Sequence, residues 1–278
     1  MDLIALDIGN SSVGMAVFTQ GKLNRNVHLR GAELERLGEL LAEYREICGA
    51  QPLGARTVPV VASSVNPPLL ERIERTVDEV LDQRVLLIGR DVPMDMKLGV
   101  ENPETLGSDR LLNASAAWEV IAGPCVIASF GTATTIDLVN EHGIFLGGAI
   151  LPGLATAAAS LREHTQALPE VEMSVPDYDY GTNTEKAINF GIYYGAIGAL
   201  REIVEHYATQ MGAWPQVVVT GGFGRLIAEK CEFIDSLVPD LCLDGIFLAY
   251  RKYHEGFEAE LQSELKSPDT IQPDDESE

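Results

Sequence analysis

The sequence predicts an α/β fold made of two copies of one domain that face each other across a cleft. Three observations support this: a strand followed by a glycine turn occurs twice, strands and helices alternate in a similar order in both halves, and the chain is long and apolar enough. It has 278 residues, 46% of them hydrophobic. Such a chain can bury full cores without disulfides or a structural metal.

The internal repeat places one glycine turn near the start of each half. The stretch LIALDIGNSS at 3–12 aligns with CVIASFGTAT at 125–134 as an apolar strand, a glycine, and small hydroxyl or amide residues. Glycine allows close backbone approach, and the exposed N–H and hydroxyl groups can hold phosphate oxygens. Two such turns facing one another would bind a triphosphate in an interdomain cleft. A single glycine turn more often only closes a hairpin, so the repetition is the informative feature.

The order of elements is β-β-β-α-β-α in the first half, and a similar order returns in the second. In the first half we predict strands at 3–6, 13–18, 27–29 and 58–61 and a helix through Leu37, Leu40, Leu41 and Tyr44. In the second half we predict strands at 126–128, 134–139, 144–150 and 217–220, helices at 154–168 and 184–210, and a closing helix through Leu243, Ile246 and Tyr250. We expect domains at 1–114 and 115–262 and a disordered acidic tail at 263–278.

Charge and cysteine content limit the possible functions. The formal net charge of −22, from 42 acids and 20 bases, would repel nucleic acid and anionic membranes and is most simply a solubility surface. The four cysteines have no C-x-x-C pairing and no histidine at ligand spacing, which predicts neither a zinc site nor a disulfide framework. The first residues lack the basic start of a signal peptide, and no apolar run is long enough to span a bilayer. We therefore expect a cytoplasmic protein.

Asp7 lies at the end of the first predicted strand, within an otherwise apolar stretch. A carboxylate there either closes a turn or holds a cation through water. Magnesium carried by ATP would be such a cation. An Asx-turn that accepts the N–H groups of residues 9 and 10 explains Asp7 at least as well.

The segment GSDRLLNA at 107–114 places an acid and a base in the first turn of a predicted helix. Ser108 could be the N-cap, and Asp109 could simply favour the positive end of the helix. Arg110 opposes the helix dipole there, so it is better explained by an anion or a carboxylate that it holds. A carboxylate in this turn could also accept a proton from a substrate hydroxyl during phosphoryl transfer.

Other segments rich in glycine and threonine suit a nucleotide, although each has a structural alternative. GTATTID at 131–137 supplies hydroxyls, but two of its three threonines could serve strand packing. TGGFG at 220–224 ends a strand and opens a helix, where bare N–H groups suit either a nucleotide or a tight turn. GGAILPG at 147–153 is typical of a strand that passes close to another backbone and turns into a helix.

A long helix is predicted after Asn183, which would cap it. Gly191, Gly195 and Gly198 recur at helical spacing along it and allow a neighbour to approach closely. That neighbour could be the core of the same chain, which we favour, or a second copy. The five histidines are scattered and fit no triad or metal pattern.

With these segments in order, the chain resembles the type III pantothenate kinases from Asp7 to about Tyr250. The matching stretches are DIGN at 7–10, SSVNP at 63–67, NP at 102–103, GSDR at 107–110 with Asn113, GTATTID at 131–137, GGAILPGL at 147–154, TQALP at 165–169, NT at 183–184, TGG at 220–222 and PDL at 239–241. Unrelated kinases of the same fold share only the two phosphate turns and the late Gly-Gly. The joint order and spacing are therefore specific.

The resemblance implies duplicated ribonuclease-H-like domains of the actin-like ATPase fold, with the active site in the cleft between them, and a homodimer. It implies transfer of the γ-phosphoryl group of ATP to the primary hydroxyl of pantothenate, the first step of coenzyme A biosynthesis. It also implies magnesium and a monovalent cation, K⁺ or NH₄⁺.

Site residues follow by carrying the family motifs onto matching positions. Asp109 would be the general base, and Asp7 would hold magnesium through water. Pantothenate would be bound by Gly107, Ser108, Arg110 and Thr184, with Val100 nearby. ATP would be bound by Asp7, Gly9, Asn10, Ser11, Gly131, Thr132, Ala133, Thr134, Gly221 and Gly222.

Two positions depart from the family pattern. Ser129 stands where members usually have an aspartate that serves a cation, and Val100 lies near a position that is often tyrosine. The first departure raises the alternative of a catalytically impaired member that acts as a nucleotide-binding regulatory or accessory protein. Another kinase of this fold, acting on sugars or carboxylates, is disfavoured by the Gly-Ser-Asp-Arg motif. A DNA-binding activator is disfavoured by the net charge.

Overall fold

The computed structural model describes residues 1–49 and 58–266, which form two β-sheets covered by helices. The first sheet has the strand order β3-β2-β1-β4-β5, with strands β1 (Leu3–Ile8), β2 (Ser12–Thr19), β3 (Lys22–Arg30), β4 (Val60–Ser64) and β5 (Val85–Leu87). The second has the order β11-β10-β7-β8-β9-β6, with β6 (Lys97–Leu98), β7 (Cys125–Phe130), β8 (Ala133–Val139), β9 (Ile144–Pro152), β10 (Gln216–Thr220) and β11 (Ser236–Leu237).

Seven α-helices lie in the described residues. They are α1 (Leu37–Gly49), α2 (Pro67–Leu81), α3 (Ser108–Ile121), α4 (Leu154–Glu163), α5 (Thr184–Met211), α6 (Gly224–Ala228) and α7 (Leu241–Lys266). Asn66 caps α2 by accepting the N–H of Leu69, and Pro67 fits the first helical turn because no intrahelical hydrogen bond is lost there. None of the described helices is long and apolar enough to cross a membrane.

The two sheets confirm the predicted α/β duplication. In each sheet three consecutive strands, β1 to β3 and β7 to β9, form antiparallel hairpins, and the next strand, β4 or β10, pairs parallel to the first of the three. Asp7 pairs with Gly14 and Ser63, whereas Ser129, the equivalent residue, pairs with Thr135 and Thr220. The sequence repeat is therefore a repeat of strand topology and register.

The two halves exchange one helix each. The helix α7, at the end of the chain, covers the first sheet, where Phe247 stacks on Phe18 with ring centroids 4.4 Å apart. The helix α3, which precedes the strands β7 to β11, covers the second sheet, where Leu111 packs with Phe145. The predicted boundary at residue 114 therefore falls inside a helix that belongs spatially to the second half.

The exchanged helices also pack against each other. A Cβ built on Gly245 of α7 would lie 2.5 Å from the carbonyl oxygen of Leu112 in α3, so only glycine permits this approach. The crossing of α3 and α7 joins the two halves and fixes the start of α3 beside the first sheet.

Several predicted boundaries are wrong. The helix predicted at 154–168 ends at Glu163, because Thr165 donates its hydroxyl to the Leu161 carbonyl and accepts the N–H of Leu168 in a turn of its own. The strands predicted at 27–29 and 58–61 run instead over Lys22–Arg30 and Val60–Ser64. Residues 263–266 of the predicted tail belong to α7, and the rest of the tail lies outside the described residues.

Candidate active site

The two glycine turns meet across the cleft between the sheets. The hydroxyls of Ser11 and Thr132, 121 positions apart in sequence, lie 2.9 Å from each other. Each turn is closed by its glycine, since the Gly9 N–H donates to the Ser12 carbonyl and the Gly131 N–H donates to the Ala133 carbonyl, both at 3.0 Å. The structure therefore brings together two of the segments that the sequence assigned to ATP.

The second turn is held in place by the start of α4. Gly153 donates its N–H to the Thr132 carbonyl at 3.0 Å, and Thr156 donates its hydroxyl to the same oxygen at 2.6 Å. A Cβ on Gly153 would lie 2.5 Å from the Thr132 carbonyl oxygen, so a side chain would push the turn away. This explains the glycine that ends the GGAILPG stretch.

The Gly-Gly segment lies directly against the second turn. Gly221 has φ +88°, and a Cβ there would lie 2.7 Å from backbone atoms of Phe130. The Phe223 N–H donates to the Phe130 carbonyl at 3.0 Å. Glycine is required at 221 both for its left-handed backbone and for this approach. The third predicted ATP segment thus borders the same cleft.

Asp7 is half-buried at the end of β1, close to Asp109 and to the thiol of Cys242. Burial raises the pKa of the Asp7 carboxyl to about 6, a hydrogen bond from Cys242 lowers it, and the charge of Asp109 raises it. Burial, together with the charges of Asp7 and Asp109, also raises the pKa of the Cys242 thiol, which keeps it protonated as a donor. No ion pair joins Asp7 or Asp109 to a lysine, arginine or histidine within the described residues.

Asp109 lies in the first turn of α3, and the residue that caps this helix is Gly107. The expectation that Ser108 is the N-cap is wrong: Ser108 is the first helical residue, and its hydroxyl lies 2.8 Å from that of Ser63 at the end of β4. A Cβ on Gly107 would lie 2.5 Å from Asp109 Oδ1, so glycine leaves room for the carboxylate to fold back over the helix start. The Ser63–Ser108 contact ties this start to the strand beside Asp7.

Arg110 holds a carboxylate, as its position in the first helical turn suggested. Its Nε donates to both oxygens of Asp137 at 3.1 and 3.2 Å, and its Nη2 donates to Oδ1. The guanidinium carbon lies 5.6 Å from the centre of the Phe145 ring, a cation–π contact. A Cβ on Gly148 would lie 2.5 Å from Asp137 Oδ1, so glycine on β9 makes room for the carboxylate. No sequence pattern identified Asp137 as this partner.

Several predicted site residues lie apart from these contacts. Thr134 is buried and lines an apolar groove beside α5 with Ile136, on the side of β8 opposite Asp137, so its side chain is not brought to the facing turns. Thr184 is exposed at the start of α5, where Asn183 caps Lys186 at 2.8 Å. No hydrogen bond joins Thr184 to α3 among the described residues. The side chain of Val100 packs beside Gly147, 3.5 Å from the position of a Cβ there.

Ser129 occupies the place that Asp7 occupies in the first half. Its neighbours in the sheet are Thr135 and Thr220. This row of three residues across adjacent strands therefore carries three hydroxyls and no carboxylate. The hydroxyl of Thr220 is used by the Pro239 carbonyl at 3.3 Å.

Two basic residues of β3 in the cleft were missed by sequence reasoning. A Cβ built on Gly14 would lie 3.2 Å from the ring of His28, and one on Gly222 would lie 2.7 Å from Arg30 Nη2. Residues 28 and 30 share one face of an edge strand, but a period-two pattern alone does not indicate what that face meets. Gly14, which faces His28, and Gly222, which faces Arg30, would have been the only sequence features to indicate these contacts.

Comparison with solved structures supports the fold. A Baf-family protein from Campylobacter jejuni, described as a transcriptional activator, superposes with a TM-score of 0.58 at 19% identity, covering 92% of this chain and 100% of that one. The activator of the 2-hydroxyisocaproyl-CoA dehydratase from Clostridium difficile, solved with bound ADPNP, gives a TM-score of 0.50 at 14% identity, covering 97% and 100%. Together with the duplicated sheets, these similarities place the chain in the actin-like ATPase fold.

Sequence comparison then gives the family. The type III pantothenate kinase family model matches residues 3–206. A type III pantothenate kinase from Dehalococcoides mccartyi is 38% identical over 253 residues, which are 90% of this chain and 97% of that protein. The chain belongs to the type III pantothenate kinase family.

Proposed function

We propose that this protein transfers the γ-phosphoryl group of ATP to the primary hydroxyl of pantothenate, giving 4′-phosphopantothenate and ADP. The observation that carries the proposal is the contact of Ser11 with Thr132 at 2.9 Å, which brings the two phosphate turns of a pantothenate kinase family member together beside Asp7 and Asp109. Two turns rich in N–H and hydroxyl donors suit the oxygens of a polyphosphate.

In the proposed reaction, Asp109 accepts the proton of the pantothenate hydroxyl while the hydroxyl oxygen attacks the γ-phosphorus and the bond to the β,γ-bridging oxygen breaks. The room that Gly107 leaves lets the carboxylate face the cleft. Phosphate oxygens are held by Gly9, Asn10, Ser11, Gly131, Thr132 and Ala133, and the nucleoside by Gly221 and Gly222. The buried position of Thr134 supports a structural contribution to the second turn.

Arg110 is proposed to contact pantothenate with the part of its guanidinium that Asp137 leaves free. Among the described residues, Asp137 accepts hydrogen bonds from Nε and Nη2, and Nη1 makes none. A guanidinium fixed in this way can bind the carboxylate of pantothenate without losing much side-chain freedom. The roles of Ser108, Val100 and Thr184 toward pantothenate are proposed on the family resemblance.

The residues present fit a magnesium ion, which would neutralise charge on the phosphates when bound. Asp7 is a carboxylate in the cleft that has no ion-pair partner among the described residues. The described residues also contain no cluster of three or more His, Cys, Asp or Glu side chains that could hold a metal ion. Magnesium commonly keeps several waters and uses one or two carboxylates. Asp7 would therefore hold it through water.

The residues present do not fit the family's monovalent cation site. A potassium or ammonium ion at the usual place would meet hydroxyls of Ser129, Thr135 and Thr220 in the sheet, without a negative charge from this row. The proposed reaction therefore includes no step through a monovalent cation.

A homodimer is proposed from the exposed face of α5. Nothing among the described residues lies within 4 Å of a Cβ built on Gly191, Gly195 or Gly198, so the expectation that these glycines pack in the core of the same chain is wrong. Gly191 and Gly195 border a groove of about 220 Å³ that is lined mostly by apolar side chains of β8, β9, α4 and α5. A second copy that covers this face would explain both the open space beside the glycines and the apolar groove. Gly195→Arg should convert the dimer to a monomer in light scattering, with Gly256→Arg, on the open side of α7, as control.

The proposal places the protein in the cytoplasm, with no nucleic acid or membrane partner. The described cysteines Cys125, Cys231 and Cys242 are free and buried, which suits a reducing compartment. The net charge of −22 opposes binding to nucleic acid and anionic lipid.

The test is a coupled ADP-release assay with magnesium-ATP, with and without pantothenate, in potassium and in sodium buffers. Turnover that requires pantothenate is the expected result. Equal rates in the two buffers would support the absence of a monovalent cation site at Ser129. ATP binding without turnover in either buffer would refute the kinase and favour a regulatory member of the family.

A further inference from the structure

Arg30 is the last residue of β3 and reaches across the cleft from the first half to the second. The strand register pairs Arg30 with Ser12, the residue that follows the first phosphate turn. Its Nη2 lies 2.7 Å from the position of a Cβ on Gly222, in the segment that packs on the second turn. The side chain therefore spans the opening between the two segments proposed to bind the phosphates and the nucleoside.

The charge of Arg30 is not used by a carboxylate within the described residues. The other basic side chains of β3 that lie near acids are engaged: Arg25 pairs with Glu43, and His28 lies 2.7 Å from Asp240 Oδ1. The backbone N–H of Arg30 donates to Glu33 at 3.1 Å, but no ion pair involves its guanidinium. This exposed guanidinium can therefore pair with an anionic ligand.

Gly222 makes this approach possible. A Cβ at 222 would lie 2.7 Å from Nη2, so a side chain there would force the guanidinium out of its present position. Arg110, the other arginine near the cleft, is held by Asp137. A planar guanidinium with free N–H groups binds phosphate oxygens through charge-assisted hydrogen bonds.

We propose that Arg30 is a nucleotide-binding residue that contacts the phosphate groups of the nucleoside triphosphate held between the two turns, and so links the halves when nucleotide is bound. The inference rests on the proposed kinase function and adds a phosphate ligand from β3. The chemical class recognised is a nucleoside di- or triphosphate; adenosine, which has no phosphate, should not engage this side chain.

The experiment measures dissociation constants of ATP, ADP and adenosine by calorimetry for wild type, Arg30→Gln, Arg30→Lys and Lys22→Gln in magnesium buffer. Lys22 begins the same strand, roughly 26 Å from Arg30 at the rise of an extended chain, and its substitution removes the same charge. Losing a charge-assisted hydrogen bond to phosphate should weaken ATP and ADP binding about tenfold in Arg30→Gln. Arg30→Lys should lose about threefold, while Lys22→Gln stays within about twofold of wild type.

Adenosine affinity should be unchanged in every variant. Loss of adenosine binding in Arg30→Gln equal to the loss of ATP binding would overturn the proposal, because Arg30 would then act on the nucleoside or on the shape of the loop. Unchanged ATP affinity in Arg30→Gln, with normal wild-type turnover, would overturn it while leaving the kinase function intact. A wild-type protein that binds no ATP would overturn both.

Discussion

Asp137→Asn should destabilise the protein by about 3 kcal/mol, because it leaves Arg110 as a partly buried cation without a counterion. The Asp137 side chain is 2% exposed and that of Arg110 is 15% exposed. Asparagine keeps the shape and one acceptor oxygen but removes the charge. Breaking a buried pair by neutralising one partner costs about 3–5 kcal/mol, and the partial exposure of Arg110 places this case at the lower end.

The same pair should contribute little net stability when both charges are removed together. Burial raises the pKa of Asp137, although the hydrogen bond and charge of Arg110 lower it, so the cost of taking the carboxylate out of water exceeds what Arg110 returns. Asp137→Asn combined with Arg110→Met should therefore recover about 2 kcal/mol of the loss in the single variant.

Urea unfolding followed by circular dichroism and tryptophan fluorescence measures these values, and coincident transitions justify a two-state fit. The control is Glu170→Gln, which breaks the ion pair between Glu170 and Arg162. The side chain of Glu170 is 81% exposed and that of Arg162 is 55% exposed, so this variant should leave the urea midpoint unchanged. An Asp137→Asn protein as stable as wild type, or a double variant less stable than the single one, would refute the reasoning.

Three further predictions concern the cleft. Asp109→Asn should lower pantothenate-dependent ADP release by about 100-fold to 10,000-fold without moving the thermal midpoint, and near-normal turnover would remove the base assignment. Asp7 has its pKa raised from 3.8 to about 6, so the folded state holds its proton more tightly than the unfolded state. In metal-free buffer, stability should therefore fall as pH rises between those values, and Asp7→Asn should abolish that part of the pH dependence in urea titrations. Ser129→Asp should introduce a rate difference between potassium and sodium buffers, and equal rates would argue against a cation site there.

The duplicated architecture was predictable because the same local sequence pattern occurs twice in the chain. Each half begins with an apolar strand whose last turn carries glycine and small polar residues, and this pattern survives at 3–12 and 125–134 even where Asp7 is matched by Ser129. Equivalent strands in equivalent sheets place equivalent turns opposite each other. The contact of Ser11 with Thr132 follows from the repeat.

The exchange of α3 and α7 could not be predicted from the same pattern. Both helices are apolar on the face that packs, and nothing in an apolar face distinguishes one sheet from the other. Leu111 packs in the second core although it lies in the predicted first domain, and Phe247 packs in the first although it lies in the predicted second. Only the long-range crossing, permitted by Gly245, decides between the two arrangements.

The partners of the arginines could not be predicted either. The position of Arg110 in the first helical turn indicates an anion or a carboxylate as its partner, and only the fold brings Asp137 within hydrogen-bond distance. Arg30 gave no local signal, since a basic residue at the end of an edge strand is ordinarily a solvated one. Its significance lies in Gly222, which is 192 positions away in the sequence.

The pairing of Arg110 with Asp137 has a consequence for how so acidic a protein binds ATP. With that pair neutral overall, the described residues of the cleft include two carboxylates without a basic partner, Asp7 and Asp109, against one guanidinium without an acidic partner, that of Arg30. The cleft therefore carries a net negative charge before a polyphosphate binds. Backbone dipoles and one arginine offset that charge only weakly. Withdrawing magnesium with a chelator should abolish ATP binding in calorimetry while leaving adenosine binding intact. ATP binding that survives chelation would show that the turns and Arg30 suffice, and that Asp7 serves the fold more than the metal.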